Sequence, residues 1–311
     1  MNQHLFLFFQ SIFGRTSENY GHDKILKEYT RYPAFLPLNA HIQHGWYGAE
    51  IPDFQKIDKI PFMLAWSQRI ADEWKTRTTK PVFVLGSPFI IYRHLRGIAQ
   101  KPDAKGTVVF PDHSTPSTTA VHDVENYCLE LEKLPEYMKP ISICLHFRDV
   151  DQYGKQFQDH GFSVFTAGDS RQAGNGFVQN FYDILSRHKY SCSNVIGSFT
   201  FYSVEMGIPF FVYGPECKCV KKDDNKTVVE YGAFRQKTRD LFRTIQEEPT
   251  PEQRAFVSFE VGEPDKVSPD WLRRYFLKRF FFREIPLYLP RFFKATFDAF
   301  AKLLKKKAKR S

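Results

Sequence analysis

The residues of this chain best suited to chemistry are histidines, hydroxyls and one acidic doublet, most of them placed directly after an apolar run. His44 is followed by Gly45 in the stretch His41-Ile42-Gln43-His44-Gly45-Trp46-Tyr47-Gly48. An imidazole can take a proton from a hydroxyl near neutral pH, and a glycine beside it lets the backbone come close to a ligand. His113, in Phe110-Pro111-Asp112-His113-Ser114-Thr115, competes for the same role, with Asp112 able to orient it. Each also has a plainer reading, His44 as a histidine bonded within its loop and residues 112–115 as a polar turn with a cap. His146 and Arg148 close another apolar run, and Arg148 could grip a diphosphate with two parallel bonds. It could equally form a surface ion pair with Asp149 or Asp151. Asp149-Val150-Asp151 spells Asp-x-Asp, a pair of hard oxygen donors suited to a divalent cation.

The most informative segment is Gly197-Ser198-Phe199-Thr200-Phe201-Tyr202-Ser203-Val204-Glu205-Met206-Gly207-Ile208-Pro209. It reads as a small-residue turn, a helix of barely two turns, and Gly-x-Pro before the next strand. The first N–H groups of such a helix lack intrahelical partners and favour an anion. Ser198, Thr200 and Ser203 add hydroxyl donors, and Glu205 could accept from a ribose or sugar hydroxyl. Alternatively, Ser198 and Thr200 only cap the helix.

These residues need elements to hold them. Residues 1–60 read as irregular. A helix is expected over 61–78, a strand over 81–86, a helix over 89–98, a strand over 106–110 and a helix over 119–134. The alternation then sharpens, with strands at 141–147, 162–168, 194–198 and 209–214. Helices are expected at 153–160, 177–189 and 200–206. Residues 215–268 read as helix plus loops, and 269–283 and 291–310 as two more helices. Alternating strands and helices with short links predict an α/β fold with parallel strands and helices on both faces. In such folds ligands bind beyond the carboxyl ends of the strands, which is where His113, His146, Gly168 and Ser198 fall.

The chain has 311 residues, room for two domains, and it carries a formal charge of +9. Residues 271–311 hold 13 Lys and Arg against 2 acidic residues, which leaves 31 basic and 33 acidic residues before them. A near-neutral body argues against a nucleic-acid enzyme with a basic groove, so no nucleic-acid partner is expected. In the tail, Phe293, Phe297, Phe300 and Leu304 share one helical stripe while Lys302 and Lys305 to Lys307 lie mostly elsewhere. That is the pattern of a helix lying on an anionic membrane surface. No apolar run of about 18 residues predicts a transmembrane helix, and the first residues lack the basic start of a secretory signal. Five scattered cysteines fit a reducing cytoplasm. The Cys217-x-Cys219 pair has no second pair near it in sequence, so a zinc site lacks its usual four ligands there and solvent-side loop thiols are expected.

The order strand, Gly197-Ser198, short helix, Glu205-x-Gly207-x-Pro209, strand resembles the donor-nucleotide segment of GT-B glycosyltransferases, in particular bacterial enzymes that build capsule, lipopolysaccharide or teichoic-type polymers. His44-Gly45 is similar to the His-Gly of polysialyl- and glycerophosphate-type polymerases, and Phe110 to Thr115 resembles a polar loop of capsule-type transferases. The resemblance covers the layout of residues 40–215. The chain departs from the family in being short for two full Rossmann domains and in lacking a His-Pro pair in its second half, where His146 and Arg148 would serve instead.

What the resemblance implies is a GT-B-like pair of Rossmann-like halves, at 1–138 for the acceptor and 139–268 for a nucleotide-sugar donor, followed by a basic aromatic helical tail at 269–311. His44 or His113 would be the base. His146, Arg148, Gly168, Ser198, Thr200, Ser203 and Glu205 would bind the donor, which is the substrate, with no cofactor and no metal. The acceptor would be a glycan or lipid-linked glycan at the inner face of the plasma membrane, reached through 291–311. A GT-A-like transferase using Asp149 and Asp151 with a metal, and a non-catalytic membrane-surface binding protein, are the competing expectations.

Overall fold

The computed structural model of the protein describes residues 19–48, 60–170, 176–228 and 232–286, together with 289, 290 and 293. The tail helix expected at 291–310 lies outside the described residues apart from Phe293. The chain is a mixed α/β protein with two parallel sheets and one small antiparallel sheet.

The first sheet is parallel and runs in chain order: β1 (His41–Ile42), β2 (Met63–Ala65) and β3 (Val82–Val84). Successive side chains of a strand point to opposite faces. Met63 and Ala65 accordingly pack under α2 (Gln68–Arg77), with Ile70, Ala71 and Trp74. Phe62 and Leu64 face the other way, into the main core with α1 (His22–Thr30), α3 (Pro88–Arg96) and α10 (Pro269–Arg279). Residues 61–67 are therefore a strand and its exit rather than the start of a helix. Phe62 to Trp66 is a fully buried apolar run, which suits a parallel strand covered on both faces. Ser67 then caps α2 by accepting from the Ile70 N–H.

The second sheet has five parallel strands in the order β7-β6-β4-β8-β9: β4 (Thr107–Val109), β6 (Ile141–Cys144), β7 (Ser163–Phe165), β8 (Tyr190–Ser193) and β9 (Phe210–Val212). Val109, Ile141, Ile143 and Phe211 pack with α4 (Val124–Glu132) and α5 (Val150–Asp159). Val108, Phe210 and Val212 pack on the opposite face with α6 (Gly176–Leu185) and α7 (Ser198–Glu205). The chain winds outward from β4 to β7, returns, and winds out the other way to β9, so the direction reverses at β4. β4, which the alternation grouped with the first strands, is the centre of this second sheet, paired with β6 and β8.

Three further expectations are corrected. The start of the predicted 119–134 helix is β5 (Thr118–Val121), which pairs antiparallel with β10 (Lys218–Lys221), itself paired with β11 (Thr227–Val228). This hairpin lies in a stretch read as strand-poor. The strand expected at 194–198 is instead β8, one step earlier. Tyr190-Ser191-Cys192-Ser193 is fully buried although half of it is serine, because the Ser191 hydroxyl bonds the Pro209 carbonyl and Ser193 Oγ accepts from the Val195 N–H. Two last helices, α8 (Ala233–Leu241) and α9 (Pro251–Glu260), lie between the hairpin and α10. α10 buries Leu272 and Phe276, the latter against Tyr32 and Phe62, so this part of the aromatic tail packs on the body.

Candidate functional site

A cleft of about 290 Å³ opens between the two parallel sheets. The segments that follow β1 (His44 to Tyr47), β4 (Phe110 to His113), β6 (Leu145, His146), β7 (Ala167) and β8 (Val195 to Ser198) all line it. Each is the exit of a parallel strand, and the second sheet contributes its reversal point at β4, where such sheets bind ligands. Tyr20, Phe89, Phe199 and Arg235 complete the wall.

The His113 loop is held from several sides by its own sheet. The Asp112 N–H donates to Asn194 Oδ1 at 3.0 Å, the Ser114 N–H to Asp149 Oδ2 at 2.9 Å, and the Ala120 N–H to Ser114 Oγ at 3.0 Å. Asp112 Oδ1 accepts from the His113 N–H at 2.8 Å. The ring of His113 donates from Nδ1 to the Ser114 carbonyl at 3.2 Å, since a carbonyl can only accept. His146 stacks on that ring, centroids 4.4 Å apart. Burial, and then the neighbouring His113, push the His146 pKa down to about 4, so His146 is a neutral ring at physiological pH.

The His44 loop is held mainly by distant groups. Gln43 accepts from the Trp66 N–H at 2.7 Å and donates to the Gly45 carbonyl at 2.8 Å. The Trp46 indole donates to Glu260 at 2.7 Å, and Glu260 is itself gripped by Arg69 at 2.7 and 2.6 Å. Arg69 also donates to the Tyr47 carbonyl at 2.8 Å. Glu260 is brought here by α9, which Thr250 and Gln253 start with a reciprocal capping box. His44 opens to solvent at the cleft, with Nδ1 3.2 Å from the Tyr47 hydroxyl. The protein packed around it lowers its pKa, while burial raises that of the Tyr47 hydroxyl.

Ser198 joins the two walls. Its Oγ accepts from the Trp46 N–H at 2.9 Å. A Cβ on Gly45 would come within 3.2 Å of that oxygen, so Gly45 is what allows the close approach.

Four expected site residues therefore meet: His44, His113, His146 and Ser198 all line the cleft. The other five are placed elsewhere. Thr200 is buried and its hydroxyl accepts from the Gly197 N–H at 3.4 Å. Ser203 is buried and donates to the Phe199 carbonyl at 2.8 Å. Glu205 sits at the far end of α7, bound by Arg93 at 2.8 and 2.6 Å and by His94 at 2.8 Å. Its burial favours protonation, but the bonds from His94 and Arg93 outweigh that and keep its pKa below the ordinary value. Arg148 lies over the Phe147 ring at 5.0 Å. Gly168, in the left-handed region at φ 92°, turns the chain just past Ala167. The Asp-x-Asp doublet is split, since Asp149 is buried on the Ser114 N–H while Asp151 is exposed on α5.

Sequence reasoning missed Arg235. It comes from α8, in a stretch with no local motif, and reaches the cleft past Trp46, with its guanidinium 6.0 Å from that ring. One of its terminal nitrogens donates to the Ile196 carbonyl at 3.4 Å, whereas its buried Nε has no acceptor among the described residues. Also missed were the aromatic walls, in which Phe110 and Phe199 stack 5.2 Å apart at an interplanar angle of 13°.

No protein-family model matches the chain, and no curated protein matches it in sequence. Among solved structures it is similar to a chain of the Glycosylation Associate Protein (Gap123) complex from Streptococcus agalactiae, at a TM-score of 0.33 and 12% identity. That similarity covers 73% of this chain and 44% of the other, so this chain spans less than half of that protein's length. A likeness of this size carries neither fold nor activity across.

Proposed function

We propose that the protein is a glycosyltransferase of GT-B-like arrangement, moving a sugar from a nucleotide-activated donor to a glycan or lipid-linked acceptor in surface polysaccharide synthesis. The observation that carries the reading is that the carboxyl ends of two separate parallel sheets face one cleft, with His44 on one side and His113 and His146 on the other. A donor diphosphate fits the five-stranded side. There the reversal point at β4 meets the N-terminus of α7, and Arg235 offers a guanidinium with a spare donor. The aromatic walls suit the flat face of a base or a sugar ring.

In this reading His44 takes the acceptor proton as the acceptor oxygen attacks the anomeric carbon and the nucleotide leaves with the bonding pair. With Nδ1–H donating to the Tyr47 oxygen, His44 Nε2 keeps its lone pair for that proton. Arg235 offsets the charge growing on the departing phosphate. In this reading the transfer uses no metal ion; among the described residues Asp112 is the one carboxylate lining the cleft. Among the described residues no helix is long and apolar enough to cross a membrane. A membrane-bound acceptor would be met at the inner face of the plasma membrane, through residues 291–311.

Calorimetric titration of the full chain with UDP, GDP and CMP tests the reading. One of them is expected to bind, and Arg235→Ala to weaken it at least about tenfold, the scale of one lost charge-assisted bond. His44→Ala is expected to keep nucleotide affinity while transfer from the matching nucleotide sugar falls about 10²–10⁴-fold. Wild-type protein that binds none of the three overturns the proposal.

A further inference from the structure

Beside the cleft, and sharing Asp112 with its wall, the hairpin of β10 and β11 carries two thiols that the transfer chemistry does not use. Cys217 and Cys219 are two residues apart at the start of an extended strand, so their side chains share one face. The antiparallel register pairs Cys219 with Ala120 and Lys218 with Val121, which brings Cys217 opposite His122. Asp112 reaches the same point from the loop after β4. Cys219 Sγ lies 3.4 Å from Asp112 Oδ2, and Cys217 Sγ lies 3.9 Å from His122 Nε2. One ligand atom from each of Asp112, Cys217 and Cys219 lies within 4.8 Å of the others.

We propose that this cluster is a structural zinc site, with Cys217, Cys219 and Asp112 as ligands and His122 Nε2 as the fourth. A tetrahedral ion with bonds of about 2.0 Å to nitrogen or oxygen and about 2.3 Å to sulfur holds its ligand atoms roughly 3.3–3.8 Å apart. Cys219 Sγ to Asp112 Oδ2 at 3.4 Å and Cys217 Sγ to His122 Nε2 at 3.9 Å are close to that, and His122, which stands outside the 4.8 Å group of the other three, has to turn inward to complete the set. Two thiolates with an imidazole and a carboxylate also match the preference of zinc for mixed sulfur and nitrogen donors. A disulfide fits less well, because residues i and i+2 of a strand stand about 6.6 Å apart, near the upper limit for a bridge.

Binding releases the two thiol protons to solvent. His122 now points Nε2 at the Asp112 carbonyl, 2.8 Å away. That contact makes Nε2 the protonated nitrogen, so on binding Nε2 gives its proton to solvent, Nδ1 takes one up, and the Nε2 lone pair meets the ion. The site would fasten the loop carrying His113 to the hairpin, since Asp112 directly precedes that histidine.

The test uses the full chain purified without chelator. Elemental analysis is expected to find one zinc per chain. Metal-free protein titrated with Co²⁺ is expected to show the intense visible bands of tetrahedral cobalt and a thiolate charge-transfer band, both displaced by Zn²⁺. The double variant Cys217→Ser/Cys219→Ser should lose both signals and weaken Zn²⁺ binding more than about 100-fold, beyond the cost of losing an outer-shell partner. Cys128→Ala, which removes a buried thiol of α4 outside the cluster, should keep them. Wild-type protein that takes up neither ion, or a cobalt spectrum that survives in the double variant, overturns the proposal. The wild-type measurement stands whether or not the double variant folds.

Discussion

The two walls of the cleft hold their histidines by different means. His113 stands on a loop tied to its own sheet through Asn194 and Asp149, and to the adjoining antiparallel sheet through the backbone of β5. His44 stands on a loop tied chiefly to groups from elsewhere, namely Glu260 of α9, Arg69 of α2 and Ser198 of α7. The short strands β1 to β3 give that loop little ladder of its own. The five-stranded wall is therefore preformed wherever its sheet is folded, whereas the His44 wall is complete only when the rest of the chain has closed around it. Of the two, the His44 wall should be the easier to disturb.

Glu260 offers the strongest way to break that comparison. Its carboxylate is 1% exposed and accepts from both Arg69 and the Trp46 indole. Removing it leaves the Arg69 charge without its partner in a partly buried place. Glu260→Ala is expected to cost about 3 kcal/mol, the low end for breaking a buried pair because Arg69 keeps some contact with water. A urea midpoint measures the loss. Amide hydrogen exchange locates it, with protection falling over residues 43–48 and holding over 107–114. Equal loss on both walls would show that the walls are one cooperative unit.

Acid should act next. His22 is buried, neither ring nitrogen has a hydrogen-bond partner among the described residues, and burial followed by the nearby His44 pushes its pKa down to about 3. His41 is lowered to about 4 by the same two causes in the same order. A histidine lowered in the folded state takes up its proton first in the unfolded chain. Stability is therefore intact above the unfolded pKa of about 6.5 and falls as pH drops below it. His22 alone contributes a slope of about 1.4 kcal/mol per pH unit down to the region of its folded pKa. Urea midpoints between pH 7 and pH 4 should show the fall, and His22→Leu should flatten it by about one proton. An unchanged slope in that variant would leave the acid sensitivity to the other lowered histidines, His41 and His146.

Much of this arrangement is written locally, and the parts that are not have a physical reason. Val108 and Val109, Ile141 and Ile143, and Phe210 to Val212 sit in apolar runs closed by small or polar residues, so β4, β6 and β9 could be read directly. His113, His146 and Ser198 could then be placed by a rule of topology alone. β8 escaped because its serines are satisfied by bonds to Pro209 and Val195, which only the tertiary frame supplies. Arg235 escaped because a helix far along the chain delivers it. Glu205 was misread for the opposite reason, since it is near Ser198 in sequence but seven residues along a helix, about 10 Å away. There it meets Arg93 and His94 of α3.

The mildest perturbation is also the sharpest, because Ser198 belongs to both walls. Its position at the start of α7 suggested a hydroxyl for a donor phosphate, yet that oxygen already accepts from the Trp46 N–H at 2.9 Å. If its main task is to close the His44 loop onto the five-stranded wall, Ser198→Ala removes one bond worth about 1 kcal/mol. The Trp46 amide should then exchange about fivefold faster, as that energy implies, while nucleotide affinity changes by less than about threefold. The phosphate would still meet the N-terminal amides of α7 and Arg235, neither of which the substitution removes. If the hydroxyl instead serves the ligand, affinity should drop about tenfold or more with Trp46 exchange unaltered. Measured on one variant, the two readouts decide whether this serine binds a substrate or builds the surface that does.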